Sequence, residues 1–318
     1  MKIKSREKEN SAKRAASVRR TLRKDMKANW SLYLMAVPVL AYYILFSYKP
    51  MYGALMAFFN YKPARGFSGS EFVGLQNFIE FFKSPFFART IKNTLAISVL
   101  NLIFCFPAPI ILALLLNEVR NAKFKKVVQT VTYIPHFISL VVVCGMVSQF
   151  CLSSGLINDI IEFFGGTRVA LLQNPKYYRT IYILSDIWQQ VGWSSIIYLA
   201  ALSGVDKNLY EAAELDGANK WKQTLHVTLP GILPIIVIQF ILAVGNLMSV
   251  GYEKTILLYN PTTYSVADVI SSYTYRMGLV DNDWGYSTAV GLFNSVVNCI
   301  LLVFTNKMSK KLTENSLW

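Results

Sequence analysis

The chain has 318 residues, of which 53% are apolar, 14% aromatic and only 16% charged, with a formal net charge of +14. This composition excludes an ordinary soluble protein, because the apolar residues are concentrated in blocks long enough to cross a bilayer. The charge does not indicate nucleic acid, since residues 1–29 hold eleven Lys or Arg and three acids directly before the first block. We therefore predict an all-α integral membrane protein whose basic tail contacts membrane lipid.

Six apolar blocks of about 20 residues, the length that a tilted transmembrane helix requires, follow the tail. They lie at Leu32–Tyr48, Thr94–Leu116, Thr132–Cys151, Thr180–Leu202, Leu233–Gly251 and Ser287–Phe304. An even number of spans places both termini on one side, and the positive charges favour the cytoplasm for that side. The segment after the first span, assigned to the outside, opposes this rule with six Lys or Arg between Lys49 and Lys92. The predicted organisation is a tail over 1–29, a six-helix domain over 30–311 and a C-terminal tail over 312–318.

A polar segment separates the fourth and fifth blocks. Charged and helix-favouring residues from Glu211 precede Gly217, a helix-length run follows, and Leu229-Pro230 closes the segment. The pattern predicts two short helices outside the membrane within a folded loop over 206–230, with Pro230 marking the start of the fifth span.

This segment resembles the cytoplasmic signature loop of permease subunits of binding-protein-dependent ABC importers. The shared order is Glu-Ala-Ala, three residues, Gly, nine residues, an aliphatic residue, one residue and Leu-Pro, with Val227 in place of the more usual Ile. The resemblance extends from about Trp30 to Lys311. It points to the type I importer (MetI-like) permease fold, to the carbohydrate-uptake permeases of the maltose and glycerol-phosphate superfamily, and among them to the LplB- and YtcP-like polysaccharide or oligosaccharide permeases of Gram-positive bacteria.

The resemblance implies a non-catalytic subunit of an ATP-driven sugar importer in the cell membrane. Its expected partners are a second permease, an ATPase dimer inside and an extracellular solute-binding lipoprotein. ATP and Mg would be held by the ATPase, so no cofactor or metal is expected in this chain. The loop would couple ATPase closure to the membrane helices through Glu211, Ala212, Ala213, Asp216, Gly217, Leu229 and Pro230.

Polar residues inside the predicted spans are candidates for a sugar path, because each is costly in hydrocarbon and tends to face a cavity or another helix. Helical spacing places a first set on one face of the fourth span: Asp186, Gln189, Gln190 and Trp193. Pairs with shared faces follow in the fifth and sixth spans: Gln239 with Asn246, and Asn294 with Asn298. Amides and carboxylates can bond sugar hydroxyls and an indole can stack on a sugar ring, but hydrogen bonding between helices remains an alternative for each residue. We expect Asp186 to be paired, neutral or exposed to water.

Other functions fit the sequence less well. An intramembrane hydrolase lacks support, because His136 and His226 are the only histidines and no motif supplies a nucleophile with a base; a phosphate-binding loop is also absent. The four cysteines have no zinc or disulfide spacing. A secondary transporter or channel stays open as an alternative, although Asp186 is the only acid in the middle of a span. So does an ABC permease for a peptide or amino acid.

Overall fold

The structure is a computed structural model that describes residue 25 and residues 27–318. The predicted basic tail therefore lies almost wholly outside the described residues. The chain divides into two compact units at Leu55 and Met56, and each is described by itself. Helices dominate both units, which confirms the predicted all-α class.

The described part of the first unit is a helix with a change of pitch. Helix α1 spans Trp30–Tyr43, a wide π-helical turn spans Ile44–Tyr48, and the short α2 spans Lys49–Met51. Its large apolar side chains are exposed, as lipid-facing side chains are. A 3-10 turn, Tyr52–Phe58, then leads into the second unit.

The second unit begins with a small antiparallel pair, β1 (Phe59–Asn60) and β2 (Glu71–Phe72), in which Phe59 lies opposite Phe72. The helices that follow, as far as the polar loop, are α3 (Gln76–Lys83), α4 (Phe87–Leu100), α5 (Pro107–Glu118), α6 (Ala122–Tyr133), α7 (Leu140–Phe150), α8 (Leu156–Phe163) and α9 (Pro175–Ser203). The remaining helices are α10 (Lys207–Leu215), α11 (Lys220–Gln223), α12 (Leu229–Gly245), α13 (Tyr252–Leu258), α14 (Tyr264–Ala267), α15 (Ile270–Tyr275) and α16 (Trp284–Thr313).

Within the described residues, four continuous helices are long and apolar enough to cross a membrane. They are Trp30–Phe58, Phe87–Glu118, Lys220–Gly245 and Trp284–Thr313. They coincide with the first, second, fifth and sixth predicted spans. The fourth predicted span forms α9, which is long enough to cross but is not among the sufficiently apolar helices.

Two predicted spans require correction. The sequence predicts the third span as one helix over Thr132–Cys151. The structure instead has two helical segments, Ala122–Phe137 and Leu140–Phe150, whose axes are bent by 100°. Pro135 lies in a 3-10 turn there, and Ile138 and Ser139 adopt extended backbone angles that end the helix. The fifth span ends at Gly245 rather than Gly251, because Asn246 leaves the helical backbone angles.

Three membrane helices contain a proline immediately beyond a wide π-helical turn. The turns are Ile44–Tyr48, Asn101–Cys105 and Thr224–Thr228, and the prolines are Pro50, Pro107 and Pro230. In each turn the residue before the proline donates its backbone N–H five residues back, for example Phe106 to the Asn101 carbonyl at 3.1 Å. A proline cannot donate and crowds the carbonyl four residues back. The wider turn accommodates the proline without ending the helix.

The segment between α12 and α16 is held against α4 by a buried carboxylate. Asp268 is fully buried and accepts hydrogen bonds from Arg89 at 3.1 Å and from Arg276 at 2.8 Å. Asn93 donates to the Asp268 carbonyl at 3.0 Å. These charge-assisted contacts fix the short helices α13–α15 beside the long membrane helices.

Close helix contact brings α9 against α6. A Cβ at Gly192 would overlap the Thr132 carbonyl oxygen, so only a glycine permits this approach. Helix α9 also packs on α5, where Tyr198, Leu202 and Ile110 belong to one buried cluster. Helix α9 thus packs against both α5 and α6, whereas its Leu184, Trp188 and Ile197 side chains remain exposed.

Candidate functional site

The polar face of α9 lines two adjoining cavities. Asp186, Gln189 and Gln190 border the first, which has a volume of about 520 Å³. Trp193 borders the second, of about 450 Å³. The predicted helical stripe is therefore present, and it faces protein cavities rather than lipid. This is the environment that polar groups at membrane depth require.

Of the three expected states of Asp186, which were paired, neutral or exposed to water, the structure shows the paired one. The Lys254 ammonium lies 2.9 Å from Asp186 Oδ1 and also donates to the Tyr182 carbonyl at 3.0 Å. Its Nζ lies 4.5 Å from the centre of the Tyr182 ring. The Lys254 side chain is only 6% exposed whereas that of Asp186 is 29% exposed, so the carboxylate is the more accessible member of the pair.

His136 orders two of the predicted path residues. Its imidazole stacks on the Trp193 indole with ring centres 4.4 Å apart and planes 2° from parallel. Its Nδ1 lies 2.9 Å from Gln190 Oε1. The 3-10 turn between α6 and α7, which carries His136, thus supports two residues of the cavity walls from behind. Phe137 also contacts the indole, edge to face with ring centres 5.5 Å apart, and Trp193 remains 44% exposed.

Gln239 and Asn246 meet at the second cavity, as their spacing predicts. Asn246 also borders the first cavity and donates to the Leu242 carbonyl at 3.0 Å, beyond the end of α12. Small polar residues from α9 and from other segments complete the first cavity. They are Ser98, Asn101, Ser194 and Ser249.

The two asparagines of α16 lie elsewhere. Asn294 borders a separate cavity of about 410 Å³ that also contains Tyr252 and Tyr275. Asn298 accepts from the Met248 backbone N–H at 2.9 Å and donates to Ser249 Oγ at 2.7 Å. Neither borders the two cavities along α9. Asn298 therefore fits the alternative interpretation, in which a polar residue hydrogen-bonds another segment of the protein instead of lining the sugar path.

The polar loop forms the two predicted helices, α10 and α11. Asp206 caps α10 by accepting from the Asn208 N–H at 2.9 Å, and Asn219 caps α11 in the same way. Between them Gly217 has a φ of +74°, a conformation that glycine adopts readily. Tyr210 Oη lies 3.0 Å from Thr228 Oγ1 and ties the first helix to the start of the membrane helix.

The predicted boundary at Leu229-Pro230 requires correction. Helix α11 does not stop there but continues through the wide turn Thr224–Thr228 into α12, so that Lys220–Gly245 is one helix of 26 residues. Pro230 sits in the first turn of α12, where its missing N–H is tolerated.

The surface of the loop is polar apart from four exposed large apolar side chains, Leu209, Leu215, Trp221 and Leu225, of which two are the most exposed. Leu215 is 90% exposed and Trp221 is 76% exposed. Glu211 and Ala212 are also exposed, and Ala213 is half-buried. No described residue pairs with Glu211, and the cap of α10 is Asp206. The loop therefore presents Glu211, Leu215 and Trp221 outward from this chain.

The family model for the binding-protein-dependent transport system inner membrane component matches residues 105–314. The chain belongs to this family. Two curated relatives from Bacillus subtilis (strain 168) are similar over most of their length. The polygalacturonan/rhamnogalacturonan transport system permease protein YteP is 48% identical, with 90% of each chain covered, and Protein LplB is 42% identical, with 92% of each chain covered.

The permease also resembles a solved structure at the level of fold. It superposes with a TM-score of 0.85 and 44% identity on a chain of a bacterial ABC transporter involved in the import of the acidic polysaccharide alginate, over 92% of this chain and 99% of that one. A second crystal structure, of a bacterial alginate ABC transporter in complex with an alginate pentasaccharide-bound periplasmic protein, matches with a TM-score of 0.84. The predicted membership in the carbohydrate-uptake ABC permeases is confirmed.

The sequence reasoning missed Lys254, which lines the permease's first cavity, and His136, which contacts two residues of the cavity walls. Lys254 follows the fifth span and looks like a loop residue in the sequence, but α13 places it beside Asp186. Because an acid in the middle of a span usually pairs with a cation, Lys254 is a candidate partner for Asp186 from the sequence alone. His136 was considered only as a catalytic base, although its position beside Pro135 marks the break in the third span.

Proposed function

We propose that this permease is one of two membrane subunits of an ATP-driven, binding-protein-dependent importer of oligosaccharides derived from a polysaccharide. The observation that carries the proposal is the pair of adjoining polar cavities along α9, in a chain 44% identical to a subunit of an importer of an acidic polysaccharide. Amide, hydroxyl and carboxylate groups there suit sugar hydroxyls, and the exposed part of the Trp193 indole suits a sugar ring.

The proposed membrane arrangement has six crossings within a domain over 30–311, with both termini in the cytoplasm. Helix α9 supplies the fourth crossing, since its 29 residues extend about 43 Å, more than the hydrocarbon thickness of about 30 Å. Its modest hydropathy follows from the polar face that lines the cavities. The bent pair α6–α7 supplies the third crossing. The bacterial cell membrane, in a Gram-positive organism as for the Bacillus relatives, is the proposed location.

Coupling is proposed to run through the loop over 206–230. An ATPase dimer holding ATP and Mg would bind the exposed face that includes Leu215 and Trp221. Because α11 and α12 form one helix, a displacement at Trp221 would be transmitted through the wide turn Thr224–Thr228 towards Gln239, about 27 Å along the helix. Closure of the ATPase would therefore reshape the second cavity directly. An extracellular binding protein would deliver the sugar from the other side.

The test is co-purification from a host that expresses the permease with its genomic neighbours. We expect the second permease and the ATPase to accompany it, and ATP hydrolysis in lipid to rise only when binding protein and oligosaccharide are both present. Leu215→Asp should abolish ATPase recovery because it places a charge in the proposed contact. Leu312→Asp, at a leucine outside the loop that is 73% exposed, is the control. A chain that purifies alone and transports alone would favour the channel or carrier alternative instead.

A further inference from the structure

The first cavity contains two charged side chains among its lining residues, Asp186 and Lys254. The remaining lining residues are neutral, and so are all those of the second cavity. The two adjoining cavities therefore have no net charge from their walls. Any discrimination between acidic and neutral sugars by these walls depends on this one pair.

The Lys254 ammonium belongs to a side chain that lines the first cavity and is 6% exposed, and it can donate to one further acceptor. It has three N–H donors, and two oxygen partners are found within the described chain, Asp186 Oδ1 at 2.9 Å and the Tyr182 carbonyl at 3.0 Å. The Tyr182 ring stabilises the cation from one side. A buried lysine is costly unless it is paired, and here the pairing leaves one donor without an oxygen.

We infer that Lys254 is the residue that makes the path selective for acidic oligosaccharides, by binding the carboxylate of a uronate unit. The inference rests on the proposed function and adds the charge class of the sugar. The uronate carboxylate would take the third donor of the ammonium and share the cation with Asp186. Charge-assisted hydrogen bonds of this kind are about twice as strong as neutral ones.

Asp186 has the opposite effect in this arrangement. It keeps the ammonium paired when no sugar is present, and it repels a uronate that has bound beside it. A transported sugar must bind well enough to enter and weakly enough to leave. The pair thus gives a moderate affinity for an acidic sugar. Removal of Lys254 would lower this affinity, and removal of Asp186 would raise it.

The experiment compares two probes of equal length, a galacturonate trisaccharide and its fully methyl-esterified form, which lacks the carboxylate charges. The complete importer is reconstituted in lipid, and both equilibrium binding without binding protein and uptake with it are measured. Lys254→Met should weaken binding of the acid about tenfold or more while changing binding of the ester less than about twofold. Lys254→Arg should keep most of the acid binding, and Asp186→Asn should raise it.

The double variant Asp186→Asn with Lys254→Met decides between recognition and a purely structural ion pair. It removes both charges with little change in volume and leaves no unpaired charge in the wall. We expect the double variant to fold, to retain binding of the methyl ester and to lose binding of the acid. Recovery of acid binding in the double variant, or equal loss of both probes, would overturn the inference. A wild-type complex that takes up neither probe, and whose ATP hydrolysis is not raised by any oligosaccharide, would instead overturn the proposed sugar function together with it.

Discussion

Two asparagines one helical turn apart on α16 have different surroundings. Asn298 satisfies the Met248 backbone N–H and the Ser249 hydroxyl, both in the segment that follows α12. Asn294 has a buried Oδ1 without a hydrogen-bond partner among the described residues. Residue type and spacing are the same for both, so only the neighbouring segment distinguishes them.

We therefore predict unequal costs for the two alanine substitutions. Asn298→Ala should lower the free energy of unfolding by about 1–3 kcal/mol, because it leaves the Met248 N–H without its partner. Asn294→Ala should change it by less than about 0.5 kcal/mol, since no hydrogen bond is lost. Thermal midpoints of the two purified variants in the same detergent check this. Equal shifts would mean that the contacts of Asn298 do not contribute to stability.

For the polar residues along α9, the sequence pattern likewise predicts the shared helix face but not the tertiary partners. Helical spacing correctly grouped Asp186, Gln189, Gln190 and Trp193, because side chains at these intervals share a face in any helix. It could not predict their partners, since Lys254 lies 68 positions from Asp186 and His136 lies 54 positions from Gln190. Those contacts follow from the break after Pro135 and from the return of α13 towards α9.

At the scale of elements, the loop over 206–230 depends on the left-handed backbone of Gly217. A Cβ there would meet no atom of this chain within 4 Å. The constraint on Gly217 within the chain is therefore conformational rather than steric. An L-residue in this region costs roughly 1–2 kcal/mol, and asparagine tolerates it better than a β-branched residue does.

We predict that Gly217→Val lowers the amount of sugar imported per ATP hydrolysed by several-fold while the protein still reaches the membrane. Gly217→Asn should retain more of this coupling because it accepts the backbone conformation. Uptake and hydrolysis measured together in proteoliposomes provide the ratio. Gly204→Ala, at a nearby glycine with a negative φ of −90°, is the control and should behave like wild type.

Each outcome for these glycine variants has a separate meaning. Normal coupled uptake by Gly217→Val would exclude the proposed coupling role of the loop. Equal loss in Gly217→Asn and Gly217→Val would indicate that a partner subunit packs directly on Gly217, since this chain leaves that space open.

At the scale of the whole molecule, the number of crossings depends on two elements that composition describes poorly. Helix α9 is less apolar than its neighbours because one face lines the cavities, and α6–α7 is bent by 100°. Hydropathy measures the average over a segment, whereas crossing depends on which face meets lipid. A polar helix enclosed by others can cross where an isolated one could not.

We predict that Lys123 and Thr167 lie on opposite sides of the membrane and that Lys311 lies on the side of Lys123. Single cysteines at these exposed positions, in a background with Cys299→Ala, can be tested with a membrane-impermeant maleimide. Thr167→Cys should react in intact cells, whereas Lys123→Cys and Lys311→Cys should react only after permeabilisation. If neither Thr167→Cys nor Lys123→Cys reacts in intact cells and both react after permeabilisation, α6–α7 is re-entrant and does not cross.

The sequence by itself determined the membrane class, the apolar blocks, the two helices of the polar loop and the family. These depend on local composition, on helical periodicity and on a motif at fixed spacing, all of which are present in the linear chain. Only the tertiary structure decided where α12 begins and ends, that the third span is broken, and that Asp186 pairs with Lys254. These depend on contacts between distant segments, and the free energy of a buried charge or a bent helix is set by the neighbours that surround it.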